Sequence, residues 1–124
     1  MKERQATGIA SELRAAAYLT ERGFWVFHAL SGTYPFDLIA YRDGKFLRVE
    51  VKSCVVIGAE RLVIPPRRNQ DYDLLLAVSR KGRVFIDPIY RPGLGWHDSG
   101  ASFEKLNDAI GPVALARRAV QESA

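Results

Sequence analysis

The segment from Tyr34 to Lys52 contains a turn signal that fixes which residues face each other. Asp43-Gly44 favours a two-residue type I′ turn, because both positions need a positive φ that Asp and Gly tolerate. Pairing then runs outward from Arg42 opposite Lys45. On one face this register gives three apolar pairs, Ala40–Leu47, Leu38–Val49 and Phe36–Val51. A slip by one residue would set apolar against charged residues throughout, so the register is strongly specified.

The other face of this hairpin brings two carboxylates together. Asp37 is predicted to lie opposite Glu50, where like charges destabilise a sheet, and Lys52 on the same face relieves only part of the repulsion. A divalent cation between the carboxylates would remove the conflict, and few oxygen ligands with room for water and phosphate are typical of Mg²⁺. A solvated polar face is the alternative. Apolar neighbours such as Phe46 favour a half-buried cleft instead.

Length and composition predict one intracellular domain. The chain has 124 residues, 48% of them hydrophobic, which suits a single domain with one core over residues 1–124. It has no apolar run near 18 residues and no apolar signal-peptide core, so we expect no membrane association. The single Cys54 excludes an internal disulfide and indicates a reducing, cytoplasmic setting.

The charge balance indicates a polyanionic partner. The net charge is +4, and basic residues cluster at Arg67-Arg68, at 80–83 and at Arg117-Arg118. Nucleic acid is the commonest partner of such a chain. The alternative is ordinary turn and helix-surface charge, and for Arg117-Arg118 we prefer it.

The first element is predicted to be a helix over residues 6–22, rich in Ala and followed by Gly23 as a C′ residue. At about 100° per residue, its inner stripe comprises Ile9, Leu13, Ala16 and Thr20. Glu12 falls at the edge of this buried stripe, directed toward whatever the helix packs against. A carboxylate in that place is unusual.

The remaining elements are predicted to be strands followed by helices. Strands are expected at residues 24–30, at 54–58 and 61–66 as two short pieces, at 73–78 as a central strand, and at 83–88. Trp96-His97 is placed in a Gly-rich loop, where it stacks on a base or caps the core. Helices are expected at 102–110 and 113–121. This order predicts a mixed α/β sheet covered by helices.

A helix bearing a Glu, then a strand, then a hairpin carrying D-x(n)-E-x-K resembles the PD-(D/E)xK nuclease superfamily, whose restriction-endonuclease-like core is αβββαβ. The similarity covers about residues 6–88. "GxxxExxAxxxLxxxGF", "PFDLIA" and "VEVKS" are similar to archaeal Holliday-junction resolvases and to small intron-encoded homing endonucleases, and residues 70–88 resemble the latter more. One departure is the interval 53–72, which contains Gly58, Pro65 and Pro66 and is strand-like where the family has a helix. We expect that helix to be truncated or replaced.

The resemblance implies a role for each residue of the motif. Asp37 and Glu50 would be metal ligands, with the backbone carbonyl of Val51 as a third. Lys52 would orient or activate the attacking water and stabilise charge on the phosphate. Glu12 would complete the acidic site by binding a second metal or a metal-bound water.

Four further residues are weaker candidates for DNA binding. Ser31 lies in the loop where junction resolvases carry a functional serine, although a role as a turn-former explains it equally well. Arg67 and Arg68 are candidates for contact with the phosphate backbone, although nothing in their spacing requires it. Gln70 belongs to the segment where the family helix is interrupted.

The sequence therefore predicts a Mg²⁺-dependent endodeoxyribonuclease, with Mn²⁺ able to substitute, that binds DNA in the cytoplasm and acts as a homodimer. Two copies are expected because one domain offers one cleft and cutting two strands needs two. Junction resolution in recombination and repair is the preferred activity. Sequence-specific cleavage of the homing or restriction type is the alternative enzyme. A catalytically silent DNA-binding module is a third hypothesis, against which the intact Asp37, Glu50 and Lys52 argue.

Overall fold

The computed structural model describes residues 1–58, 61–65 and 71–104. These residues form one helix, α1 (Glu3–Glu21), and eight strands. The strands are β1 (Trp25–His28), β2 (Leu38–Arg42), β3 (Lys45–Ile57), β4 (Arg61–Val63), β5 (Leu74–Ser79), β6 (Val84–Ile86), β7 (Ile89–Arg91) and β8 (Gly95–His97). The predicted helices at 102–110 and 113–121 lie, from residue 105 onward, outside the described residues.

The strands form a mixed sheet organised around β3. β1, β2 and β3 are an antiparallel meander, and β5 pairs with β3 in parallel before β6 adds an antiparallel edge. The distal part of β3 pairs instead with β4, which continues through β8 to β7. The predicted mixed α/β architecture is confirmed. No described helix is long and apolar enough to cross a membrane.

The hairpin of β2 and β3 has the predicted register. Asp43 and Gly44 have φ values of 51° and 79°, as a type I′ turn requires. Arg42 pairs with Lys45, Ala40 with Leu47 and Leu38 with Val49. The strand pairing ends there, so Phe36–Val51 and Asp37–Glu50, also predicted as pairs, lie just beyond it.

Helix α1 is confirmed, but its predicted inner stripe is wrong. Ser11, Ala15 and Leu19 are buried, whereas Ile9 and Leu13 are 48% and 58% exposed. The buried stripe is rotated by roughly a third of a turn from the one predicted. Small residues let the helix lie close to the sheet, and this close packing outweighs the burial of the larger apolar side chains. Glu12 still lies beside the buried stripe and is half-buried.

The core has two parts, one on each face of the sheet. The face beneath α1 buries residues from every main strand, including Leu38, Ala40, Val49, Leu74 and Leu76. On the opposite face, Phe85 and Leu62 pack with Ala77 and Cys54. All six residues of β5 are buried, which confirms residues 73–78 as a central strand.

Two local predictions need correction. Residues 54–57 are not a separate strand piece, because β3 runs without a break through Ile57 and β4 folds back on it. Trp96-His97 lies in β8 and not in a loop; Trp96 packs edge-on against Tyr90 and against the second core, which favours core capping over base stacking. In the interval 53–72, the described residues contain no helix.

Arg48 joins β3 to the start of β5. Its backbone N–H donates to Asp73 Oδ2 at 2.8 Å, and the Asp73 N–H donates to the Arg48 carbonyl at 2.8 Å. Its guanidinium also contacts Asp71 and lies 3.4 Å from Asp73 Oδ1. The Asp73 side chain is only 6% exposed, so this ion pair holds the parallel strand in register at a largely buried position.

Candidate active site at the open edge of β3

Asp37 is fixed by three hydrogen bonds. Its carbonyl accepts from the Ala29 N–H at 3.0 Å, and its N–H donates to the Val49 carbonyl at 3.1 Å. Its carboxylate Oδ2 accepts from the Val51 N–H at 2.8 Å. The side chain therefore lies against the edge of β3, immediately after the loop that connects β1 to β2.

The strand that neighbours this edge of β3 changes from β2 to β4 near Asp37. β2 pairs as far as Val49 and β4 begins pairing at Val55, so residues 50–54 have no strand neighbour there within the described chain. The Asp37 carboxylate occupies part of the gap. Because the N–H and C=O of a strand residue point to the same side, the Val51 carbonyl faces the same gap as its N–H. Asp37 and the Val51 carbonyl are thus neighbours.

Glu50 and Lys52 flank Val51 on the strand. They alternate with the buried Val49 and Val51, so their side chains leave the opposite face of β3. Lys52 Nζ lies 3.6 Å from Glu50 Oε1, and the two side chains are 25% and 14% exposed. The sequence predicted a half-buried cleft here and not a solvated polar face, and the low exposure of both side chains agrees with that.

Glu12 reaches the same place from α1. Burial raises the pKa of its carboxyl group above the ordinary value of 4.5, and the charge of Asp37, a hydrogen bond with Asp37 and the charge of Glu50 raise this pKa further. Three carboxylates from three different elements are therefore within electrostatic reach of each other.

This arrangement limits how a cation could be held. Among the described residues, no three His, Cys, Asp or Glu side chains converge as ligands of one metal ion. The donor set that remains is Asp37, Glu50 and the Val51 carbonyl, with water or phosphate completing the coordination. Mg²⁺ commonly keeps several waters beside one or two carboxylates, so these residues fit a divalent cation. The excess negative charge that raises the pKa of Glu12 is what such a cation would offset.

A cleft of about 770 Å³ extends from this site along the first half of α1. Glu12, Val51 and Lys52 line one part of it, and Arg4 and Arg80 line another. Two polar groups in the wall of this cleft are not among the residues that the sequence predicted. Ser11 Oγ and Ser53 Oγ lie 2.7 Å apart, and the residues are 42 positions apart in the chain. In the sequence, each serine could be noticed only as the neighbour of a candidate catalytic residue, Ser11 beside Glu12 and Ser53 beside Lys52.

The weaker candidates have different outcomes. Ser31 is exposed, accepts a hydrogen bond from the Thr33 N–H at 3.1 Å and pairs with its hydroxyl at 2.8 Å, so it forms the turn that its alternative interpretation predicts. Arg67, Arg68 and Gln70 lie outside the described residues. Cys54 is buried, and burial raises the pKa of its thiol to about 11, which makes it a poor nucleophile.

A helix packed on an antiparallel meander, with a parallel strand beyond it and an Asp…Glu-x-Lys set at a gap in the sheet, is the arrangement of a restriction-endonuclease-like domain. The family model described as PD-(D/E)XK endonuclease matches residues 2–64, about half of the chain. The chain therefore belongs to the PD-(D/E)XK endonuclease family, as its motifs indicated. Nucleases of this family generally use divalent metal ions and bind DNA.

Two individual proteins are similar to the chain. Protein 5.3 of Escherichia phage T7 is 37% identical over 57 residues, which cover 46% of this chain and 48% of that protein. The match thus spans about half the length of that relative. The solved structure of a bacterial homing endonuclease, I-Ssp6803I, aligns with a TM-score of 0.56 at 20% identity, covering 68% of each chain. That likeness confirms the predicted fold class.

Proposed function

We propose that this protein is a Mg²⁺-dependent endodeoxyribonuclease. Its proposed active site, formed by Asp37, Glu50 and Lys52, hydrolyses DNA phosphodiester bonds. One observation carries the proposal. Three hydrogen bonds hold Asp37 in the gap in the β3 edge, beside the Glu50–Lys52 pair. Membership of an endonuclease family supports the same activity.

The side chains have distinct roles in this proposal. Asp37, Glu50 and the Val51 carbonyl would hold the cation, which supplies Lewis acidity toward the phosphate and lowers the pKa of water. Lys52 donates hydrogen bonds to a phosphate oxygen and stabilises the negative charge that develops there. Glu12, which lies within hydrogen-bond reach of Asp37, would complete the acidic site and orient the attacking water beside the cation.

The active form is proposed to be a homodimer. The described residues of one chain contain one such site, and a two-fold axis would bring a second site to the other DNA strand. Mn²⁺ is expected to replace Mg²⁺, since both accept carboxylate, carbonyl and water oxygens in octahedral geometry.

A branched DNA, such as a four-way junction, is the proposed substrate. The motifs around Glu12, Asp37 and Lys52 resemble those of junction resolvases. Helix α1 is packed on the sheet, so it is not free to enter a major groove and read bases. Recognition by shape is consistent with that architecture, and the proposed role of the enzyme is in recombination and repair.

Sequence-specific cleavage is the second candidate, and the hairpin of β7 and β8 favours it. A two-stranded ribbon fits a major groove, and this one exposes Tyr90 at 56% together with Arg91. A base-reading ribbon would make the protein an enzyme of the homing or restriction type.

A cleavage panel tests the proposal. Four-way junction, flap, linear duplex and single-stranded DNA are each incubated with the protein in Mg²⁺, Mn²⁺ or EDTA. We expect paired nicks placed symmetrically about the junction crossover in both metals and none in EDTA. A single cut in linear duplex, independent of branching, would instead support the sequence-specific enzyme. Binding without cleavage of any DNA would identify a silent DNA-binding module and refute the proposal.

A further inference from the structure

Gly8 lies in the interior of α1, although no contact among the described residues explains a glycine at this position. Glycine weakens a helix interior relative to alanine, because it loses more backbone freedom on folding. Gly8 is exposed, and a Cβ built on it would meet no atom within 4 Å beyond the adjacent backbone of α1, so packing within the described protein does not require a glycine there. Gly8 does line the cleft that begins at Glu12 and Lys52. Its missing side chain leaves the cleft open to a group that approaches from outside.

The Ser11–Ser53 pair offers that group a hydrogen bond. Ser11 is only 3% exposed, and its hydroxyl lies 2.7 Å from that of Ser53. Two hydroxyls carry two protons, and their mutual hydrogen bond uses one. The accepting hydroxyl keeps the other proton, and neither serine side chain has a second hydrogen-bond partner among the described residues. The unused proton lies in the wall of the cleft, where it can be donated to an acceptor.

The cleft is lined by three basic side chains, Arg4, Lys52 and Arg80, and by two carboxylates, Glu3 and Glu12, so its balance of charge favours an anion. Arg80 lies 3.5 Å from Glu3, but their side chains are 79% and 84% exposed, and such a surface pair holds its partners weakly. Arg4 makes no ion pair with a described residue. Both guanidinium groups are therefore available to a phosphate, which accepts bidentate hydrogen bonds from arginine.

We propose that this cleft holds a backbone phosphate of the bound DNA that neighbours the scissile phosphate. Gly8 allows the close approach, the Ser11–Ser53 pair donates a hydrogen bond to a non-bridging oxygen, and Arg4 and Arg80 neutralise charge. A DNA strand fits better than a free anion, because the cleft is continuous with Glu12, Val51 and Lys52. The inference rests on the proposed nuclease function and adds the path of the strand to it.

The test fills the cleft without disturbing the fold. Gly8→Leu introduces a good helix former where a Cβ has open space, so thermal stability should hold or rise. Ala17→Leu is the matched control, since Ala17 is exposed on the same helix and does not line the cleft. We expect Gly8→Leu to raise the KM for DNA cleavage at least roughly tenfold with a smaller change in kcat. Ala17→Leu should stay within about twofold of wild type.

A second measurement covers the case in which Gly8→Leu fails to fold. Arg4→Gln and Arg80→Gln should each reduce the slope of log affinity against log salt by about 1, because each phosphate contact releases about one counterion. If wild type cleaves DNA while the Gly8→Leu KM and the arginine slopes match wild type, the cleft is not a phosphate site and the nuclease proposal stands. If wild type neither binds nor cleaves DNA, both proposals are wrong.

Discussion

Glu12 is the residue whose pKa reflects the crowding of negative charge in the acidic site. Its carboxyl group is partly buried, hydrogen-bonds with Asp37 and faces the charge of Glu50, and each of these raises its pKa. Without a cation, the protein relieves the conflict by keeping a proton on Glu12 to higher pH. Cation binding and protonation of Glu12 are thus alternative ways to neutralise the same cluster.

Replacing Glu12 with Gln should change how stability depends on pH. The unfolded chain releases the Glu12 proton near the ordinary pKa, whereas the folded chain keeps it to higher pH. The free energy of unfolding in EDTA should therefore fall as pH rises from about 4.5 through the raised pKa, and Glu12→Gln should abolish that contribution. The variant should be more stable than wild type at pH 7 and similar to it at pH 4, as measured by urea unfolding.

Glu21→Gln is the control for this experiment, because Glu21 lies at the other end of α1 with its side chain 76% exposed. It should leave the pH profile unchanged. A Glu12→Gln profile parallel to that of wild type would mean that Glu12 is an ordinary surface carboxylate. Glu12→Gln should also cleave DNA more slowly at saturating Mg²⁺, which a surface residue would not do.

At the scale of the elements, the link between β3 and β5 positions the Glu50-x-Lys52 segment. The Arg48 N–H donates to the Asp73 carboxylate, and the Asp73 N–H donates to the Arg48 carbonyl. The two side chains also form an ion pair, at the point where the parallel pairing begins. Parallel strands come from distant parts of the chain, so no tight turn sets their register. The Arg48–Asp73 contact supplies that register two residues before Glu50.

Arg48→Met keeps the length of the side chain but removes the guanidinium from a largely buried carboxylate. Breaking a fully buried pair costs roughly 3–5 kcal/mol, and the 25% exposure of the Arg48 side chain reduces this to about 2–3 kcal/mol. Urea unfolding should show this loss. Arg91→Met, on the exposed strand β7, is the control and should leave stability unchanged. An Arg48→Met protein as stable as wild type would show that the apolar core alone sets the register.

Features that are encoded locally in one element could be predicted from the sequence, and features that depend on how elements pack could not. The β2–β3 register was predictable because Asp43-Gly44 encodes it locally, and this register placed Asp37 near Glu50. The phase of α1 was not predictable, since the outward-facing Ile9 and Leu13 suggested the wrong stripe. The Ser11–Ser53 contact and the place of Trp96 in β8 depend on pairing between distant segments, on which local patterns carry no information.

At the scale of the whole molecule, β3 connects two sheet regions, and the candidate site lies where its neighbour changes from β2 to β4. At this gap the edge of β3 lies beside a cleft that extends along α1. The fold and the family are those of an endonuclease, and the proposed location of phosphodiester hydrolysis is this gap. In that proposal the activity depends on the Asp37 carboxylate that lies in the gap.

Asp37→Asn tests that central claim most directly. An amide keeps an oxygen acceptor for the Val51 N–H but loses the negative charge, so the fold should be retained. We expect DNA binding within a few-fold of wild type and Mg²⁺-dependent cleavage reduced by roughly 10²–10³-fold, because the cation that would stabilise transition-state charge loses a carboxylate ligand. Asp43→Asn, the same change at a turn residue whose side chain is 88% exposed, should cleave like wild type. Undiminished cleavage by Asp37→Asn would contradict the assignment of this site.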